Sequence, residues 1–549
     1  MKAPPPSVLL LLAGGLVAVA FPLFAPSSAP AVLVLLLAGG YAVSAARASP
    51  VPLSPDRLVR AGLFVAVAAG VLVPALLGGL FSLHAVLSGL VDAYAAVNRR
   101  DVLAAALGFS ALLLAARFWP ERLGERAFLA VGTAAALAVK LAYVHFVHLA
   151  PFSDFEGMWN VASRVAVDGL SATQQWVAGS PGPLQWIYLE RVLPFLLPLR
   201  LAFGPGPGAY TVANVLAGLA ASGLTYILAR GWFGNTAARI AFVLSLAAPE
   251  TLMVSILPNH EVPGALYTLL GLVLIDRACR LVLAGRERAA LAAGLLFGAL
   301  SVVVGLQRTT GPFFLLPCAA LALLAVAVGS PRRRTARAAV LLVVAPLALY
   351  LGLSRILRAA DLMIPPEVFA ARRGLVLMAG SDSWTDGSFA HFSELAQSYG
   401  ELPVRWYPLA AAKIASDTWH TPSARVTGYV AKSRSLYDLG TQTYFYVQGA
   451  QVSGLGVIEG RRMDRMTALS RCFSVVFVGC FLVGCLRLFA ARGVPLRAFV
   501  PLGYLAVVSS LILFFALVQP RYLYQIWFVG AVYAGNAFGP APRAEEDDA

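Results

Sequence analysis

Apolar residues occur in this chain as long, nearly unbroken runs, and that feature decides what solvent the fold is built for. A helix that crosses a bilayer needs about 20 mostly apolar residues. Runs of that kind lie near 7–24, 31–47, 60–80, 102–117, 127–150, 209–229, 236–256, 262–277, 289–306, 313–329, 337–356, 467–488, 498–517 and 521–538. Of the 549 residues, 59% are hydrophobic and only 13% charged, with a mean hydropathy of +0.76. A water-facing surface takes about a quarter charged residues, so this chain cannot clothe several soluble domains. Disorder, collagen, coiled coil and a disulfide-stapled secreted module are excluded with them. The expected fold is all-α and polytopic, with about fourteen transmembrane helices. The first run has the look of a signal peptide, but it lacks a clear small-residue cleavage site and leads straight into another run, so it is read as a membrane helix.

The net charge of +15, from 42 basic and 27 acidic residues, would invite a nucleic-acid partner if the arginines formed a soluble face. They sit between apolar runs instead. Arg47, Arg57 and Arg60, then Arg117, Arg122 and Arg126, then Arg230 and Arg239 mark alternate loops. Arg277, Arg280, Arg286 and Arg288, then Arg332, Arg333, Arg334 and Arg337, and finally Arg487, Arg492 and Arg497 continue the series. Basic loops stay on the cytoplasmic side, which places both termini inside; Arg99 and Arg100 break the pattern. With so much Ala and Gly, the use of Arg over Lys looks like a GC-rich bacterial genome, and the expected location is a bacterial inner membrane. The five cysteines lie within or at the edges of apolar runs, which argues against structural disulfides and a thiolate metal site.

The runs divide the chain into extra N-terminal helices (1–120), a membrane core (121–356) with an external loop at 151–207, an external domain (357–466), C-terminal helices (467–540) and an acidic tail (541–549). The stretch 187–203 is apolar but carries Pro194, Pro198 and Arg200. Counting it as a span would invert every later loop against the charge bias, so it is expected to lie in the interface as an amphipathic or re-entrant helix. Segment 357–466 is rich in Trp, Tyr, Ser and Asp; Trp384, Trp406, Trp419, Tyr444 and Tyr446 serve equally as a sugar-stacking surface, a small core or an aromatic belt.

The sharpest local signal is Ser153-Asp154-Phe155-Glu156, just outside the run 127–150. Two carboxylates there suit a base at the mouth of a cavity, or one divalent ion (Mg or Mn) held by Asp154 and Glu156; they suit equally an acidic turn that caps the next helix. Lys140 and Glu250 lie inside apolar runs, where charges are costly and face a cavity or each other. His145 and His148 are read as interface residues, since no third metal ligand is evident. Glu261, in Pro258-Asn259-His260-Glu261, lies where two prolines leave backbone groups free, or is an ordinary acidic helix start.

Taken in order, these elements resemble the GT-C membrane glycosyltransferases, in particular the protein mannosyltransferase and lipid A aminoarabinose transferase group. The likeness rests on Asp154 with Trp159, Ala162 and Gly169; on Gly182-Pro183-Leu184 opening a stretch that ends at Phe203-Gly204; and on Asn214. It continues through Leu228-Ala229-Arg230 and Phe233-Gly234, Pro249-Glu250, and His260-Glu261. Gln307-Arg308-Thr309-Thr310-Gly311-Pro312 is similar to a basic-Gly-Pro turn with Arg for the commoner Lys, and Gln519-Pro520-Arg521-Tyr522-Leu523 to an Arg-Tyr element opening the last helix. It covers roughly 127–330 and 515–535. Phe155 separates the two acids, and neither the first four runs nor 357–466 has a counterpart.

The resemblance implies a GT-C-like helical bundle that moves a sugar from a polyprenyl-phosphate donor to the hydroxyl of a glycan, lipid or protein acceptor on the outer face, with inversion. Asp154 would be the base, with Glu156 or Glu261 helping to position substrate or metal. Arg308, Arg521 and Tyr522 would hold the lipid phosphate, and Lys140, Glu250 and His260 would line the cavity. A phosphate leaving group is already a stable anion and needs fixed positive charge, which arginine's planar fork supplies bidentately. The rival readings are arginines that snorkel to the interface, a transporter or lipid flippase, and a glycan polymerase or ligase using diphosphate-linked donors. A transporter more typically shows paired broken helices in two related halves, and no such internal repeat is present.

Overall fold

The computed structural model describes residues 55–91, 99–179, 184–308, 311–328, 330–365, 368, 422–437, 446–447, 449–491, 494–515 and 524–539. The expected spans 7–24 and 31–47 lie outside them. The helices begin with α1 (Pro55–Val67) and, after a π-turn, α2 (Val73–Val91), followed by α3 (Arg99–Arg117) and α4 (Gly124–Phe146). A two-residue strand, β1 (Val147–His148), leads to four short helices: α5 (Ser153–Asp168), α6 (Leu170–Ala178), α7 (Leu184–Val192) and α8 (Leu196–Phe203). The chain re-enters the bundle as α9 (Gly208–Ala247), α10 (Pro249–Met253), α11 (Glu261–Leu283), α12 (Glu287–Arg308) and α13 (Gly311–Ala327). It continues with α14 (Arg332–Ala339), a π-turn, α15 (Ala345–Ala359) and α16 (Pro422–Tyr437), then β2 (Gln451–Val452) and β3 (Gly456–Val457). Three helices, α17 (Arg461–Ala490), α18 (Val500–Phe515) and α19 (Tyr524–Asn536), complete the described chain. Seven described helices are long and apolar enough to cross a membrane by length and composition, so the chain is a helical, multi-pass membrane protein.

The 40 residues of α9 are two antiparallel arms, because Gly234 interrupts the helical backbone with φ +83°. Residues 226 and 242 would stand about 24 Å apart along a straight helix, yet the Tyr226 and Phe242 rings lie 6.2 Å apart. Only a residue without a Cβ turns the chain this way at no steric cost. The arms correspond to the expected spans 209–229 and 236–256. Across the turn end, Glu125 at the start of α4 accepts from Tyr226 Oη at 2.7 Å and pairs with Arg239.

Contacts of this sort gather the basic loops at one end of the bundle. Asp276 of α11 accepts from Trp232 Nε1 at 3.0 Å and lies 3.3 Å from Arg497. Arg487 donates to the Ala537 and Gly539 carbonyls, each at 2.7 Å, and Arg117 to the Phe538 carbonyl at 3.2 Å. The other end of the same helices is roughly 30 Å away, since α12 alone has 22 residues at about 1.5 Å each. That length matches the hydrocarbon core of a bilayer.

Helix pairs approach closely at glycines. Gly484 of α17 faces Tyr533 of α19, where a Cβ would overlap the Tyr533 carbonyl oxygen, and Gly535 meets the Ala237 carbonyl in the same way. Overpacking of this kind costs about 1–3 kcal/mol. Gly484→Leu is therefore expected to lower the melting temperature of the detergent-solubilised protein, read by thermal unfolding, whereas substitution at Gly108, which faces open space, leaves it unchanged.

The stretch 187–203, expected to lie in the interface and not to span, forms α7 and α8, both short and broken around Pro194, whose carbonyl accepts from Tyr267 Oη at 3.0 Å. Segment 357–466 was expected to form a small external domain; its described helix α16 packs on the bundle. Tyr429 of α16 donates to the Ala69 carbonyl at 2.7 Å, the Tyr437 carbonyl accepts from Ser474 at 2.9 Å, and Gly78 packs against Tyr437. Further on, β2 pairs antiparallel with both β1 and β3, which fastens residues 451–457 over the end of α4. The remainder of the segment, with Trp384, Trp406, Trp419 and Tyr444, lies outside the described residues.

Candidate active site

The external loop folds so that Asp154 opens α5 and is turned inward. Ser153 ahead of it adopts φ +51°, the left-handed region that non-glycine residues occupy only when their surroundings hold them there. The Phe152 carbonyl accepts from the amides of Phe155 and Glu156, closing the first turn. The buried Phe155 then fixes the helix rotation. Asp154 Oδ1 accepts from Tyr188 Oη at 2.9 Å, and Oδ2 lies 3.8 Å from Arg191 Nη1. The side chains of Arg191 and Asp154 are only 10% and 15% exposed, so the pair is largely shielded from the salt screening that weakens surface pairs. Gly157 makes this possible: a Cβ there would overlap the Tyr188 ring.

Glu156 is exposed. Residues two apart on a helix do not face each other, so the two carboxylates proposed to share one divalent ion lie on different sides of the turn. Among the described residues, no group of three or more His, Cys, Asp and Glu side chains is gathered to hold a metal.

Helix α7 is where the site is assembled. Glu190 is buried and its Oε1 accepts from the Ile364 amide at 2.7 Å; Gln174 of α6 donates to the Ala360 and Asp361 carbonyls at 2.9 and 3.0 Å. The chain leaving α15 is thus strapped over the external loop. The Arg191 carbonyl accepts from Gln307 Nε2 at 3.1 Å, and Gln307 is fully buried. This bond brings the last turn of α12, which ends at Arg308, to the helix that carries Asp154's two partners. The Arg308 side chain, Arg521 and Tyr522 lie outside the description.

A second group of polar residues lies at the break between α9 and α11. Asn214 Nδ2 donates to the Ser255 and Leu257 carbonyls at 3.3 and 2.8 Å, and Asn259 Nδ2 to the Val254 and Leu257 carbonyls at 3.0 and 2.9 Å. Asn259 Oδ1 accepts from the Val262 amide at 3.0 Å and closes the start of α11. These amides satisfy the backbone that the break frees, as a membrane interior demands. Glu250, His260 and Glu261 are enclosed there, with Glu261 Oε2 3.5 Å from His260 Nδ1. Lys140, expected to pair with Glu250 or to line the donor path, donates to the hydroxyl of the neighbouring Thr251 at 2.7 Å. Tyr446 packs 6.4 Å from Phe155. Tyr524 begins α19, three residues after Arg521.

Tyr188, Glu190 and Arg191 were not singled out in the sequence, and Gln307 entered only as the first residue of the turn 307–312. The signal was present for two of them: a Glu-Arg pair in the middle of an otherwise apolar stretch has no reason to be there unless both find partners.

The fold and this arrangement define a helical membrane protein with Glu190, Arg191, Glu250, His260 and Glu261 buried toward the bundle end opposite the basic loops, while Arg239, Asp276 and Arg497 are buried at the basic-loop end. No protein-family model matches the chain, and no curated protein does. Among solved structures, it is similar to the archaeal oligosaccharyltransferase AglB from Archaeoglobus fulgidus in complex with an inhibitory peptide and a dolichol-phosphate. That match has 14% identity and a TM-score of 0.41, and covers 75% of this chain and 50% of that one; the chain spans about half the archaeal protein's length. It is also similar to ArnT from Cupriavidus metallidurans bound to undecaprenyl phosphate, with 16% identity, a TM-score of 0.34 and coverage of 75% and 77%. The apo form of the latter matches with 17% identity, a TM-score of 0.33 and coverage of 76% and 78%.

Proposed function

We propose that this chain is a membrane glycosyltransferase that moves a sugar from a polyprenyl-phosphate donor to an acceptor hydroxyl at the outer face of a bacterial inner membrane. The observation that carries the reading is the half-buried Asp154 held between Tyr188 and Arg191, on a helix whose Arg191 carbonyl is bonded to Gln307 beside Arg308. An acid and a cation so placed, at the bundle end remote from the basic loops, suit a reaction between a hydroxyl and a lipid phosphate at the bilayer surface. Asp154 takes the proton of the acceptor hydroxyl. The oxygen attacks the anomeric carbon as the bond from that carbon to the phosphate oxygen breaks, which inverts the centre. Polyprenyl phosphate leaves with the bond's electrons, held by Arg191, Arg308 and Arg521, with Tyr522 beside them. Glu261 and His260, with Lys140 and Glu250 behind them, line the inner wall of the cavity.

The test is transfer of radiolabelled sugar from a polyprenyl-phosphate donor pool to candidate acceptors by protein in detergent, where no closed compartment exists. Label appearing on an acceptor is the expected result. A protein that moves the donor across vesicles but transfers nothing in detergent is a flippase, and the reading fails.

A further inference from the structure

The end of the bundle opposite Asp154 carries a second charged feature that the transfer reaction does not use. Arg286 and Arg288 flank Glu287 at the start of α12, and Arg332, Arg333 and Arg334 form the first turn of α14; all five arginines are exposed. Glu287 is the sole acid in these two segments, and Arg337 occupies it at 2.6 Å. That ion pair holds the segments side by side and leaves five guanidinium groups without an acidic partner among the described residues.

The placement of three of them runs against helix electrostatics. A helix N-terminus is the positive end of the dipole and favours acidic residues. In α14 it carries three arginines, and the N-cap, Pro331, supplies no side-chain cap. Such a turn is relieved by an external anion. Topology alone needs basic residues in the loop, not their concentration on a helix start.

The surface next to the arginines is apolar. Leu296 of α12 is 58% exposed, and Val340 and Val344, which follow α14, are 53% and 56% exposed. The helices cross immediately behind them, with Gly294 against the Leu341 carbonyl and Gly298 against Pro346. A cationic rim continuous with a lipid-facing stripe matches the two halves of an anionic phospholipid.

We propose that Arg286, Arg288 and Arg332–Arg334 form a site for an anionic phospholipid headgroup, whose acyl chains run along Leu296, Val340 and Val344. Gln307, beside the proposed transfer site, stands at the far end of α12, roughly 30 Å away along the helix, so this lipid is a resident partner and not the sugar donor.

The test is native mass spectrometry of the full chain in detergent, titrated with phosphatidylglycerol and, separately, with phosphatidylcholine. The wild type is expected to bind phosphatidylglycerol the more tightly. The combined variant Arg332→Gln, Arg333→Gln, Arg334→Gln is expected to bind it about 100-fold more weakly, from about 1 kcal/mol for each basic residue near an anionic surface. The corresponding triple lysine variant keeps most of the affinity, which separates charge from fold. Phosphatidylglycerol binding unchanged in the glutamine variant, or equal binding of both lipids by the wild type, overturns the proposal.

Discussion

Asp154→Asn is expected to abolish sugar transfer, with a loss of about 10²- to 10⁴-fold, the range of a positioned general base, while the protein expresses and extracts normally. The asparagine amide is nearly isosteric and still accepts from Tyr188 Oη, so the packing around Phe155 and Gly157 has no reason to change. What it lacks is the capacity to take a proton and the negative charge that faces Arg191 at 3.8 Å. The measurement is the initial rate of label transfer in detergent, alongside the thermal unfolding midpoint. A variant that keeps most of its rate removes Asp154 from the base role. Loss of rate together with loss of the folded protein would assign the residue to structure. Tyr188→Phe deletes only the 2.9 Å hydrogen bond and should fall between wild type and Asp154→Asn.

Arg191→Gln is expected to lower kcat/KM for the lipid donor by about 10²- to 10³-fold, the cost of removing one preorganised charge stabiliser. The backbone carbonyl of residue 191 remains available to Gln307, so the attachment of α7 to α12 survives, and the loss reports on the guanidinium. Arg191→Lys should recover only part of the activity, because a lysine keeps the charge but not the planar fork that meets two phosphate oxygens. Wild-type activity in both variants would show that neither charge nor fork at 191 takes part.

The membrane architecture was legible in the sequence because it depends on composition over windows of about 20 residues. The seven described helices long and apolar enough to cross a membrane overlap expected runs, including the two arms of α9 about Gly234, whereas α5–α8 and α16 lie outside those runs. The position of Asp154 at the start of a helix beyond α4 was readable from Ser153-Asp154-Phe155-Glu156. Its partners were not. Tyr188 and Arg191 follow it by 34 and 37 residues, and Gln307 reaches Arg191 across 116 more. Nothing in local periodicity encodes which of several polar residues in an apolar stretch will turn toward which other. The placement of α16 was hidden for a related reason. It is polar enough to read as external, yet its Tyr429 and Ser433 are turned to backbone carbonyls that satisfy them, and Lys432 is buried. Glu156 misled in the opposite direction: adjacency in sequence to Asp154 suggested a shared ion, but two steps along a helix separate the side chains by more than half a turn.

The central claim is that Asp154, Arg191 and the Arg308 end of α12 surround one place where a lipid phosphate reacts. Determining the structure of the full chain with bound polyprenyl phosphate tests it most directly. Phosphate density is expected within hydrogen-bond distance of Arg191 and of Arg308 or Arg521, on the side of α5 where Asp154 faces. A headgroup at the basic-loop end of the bundle, or one walled off from Asp154 by packed helices, would contradict it.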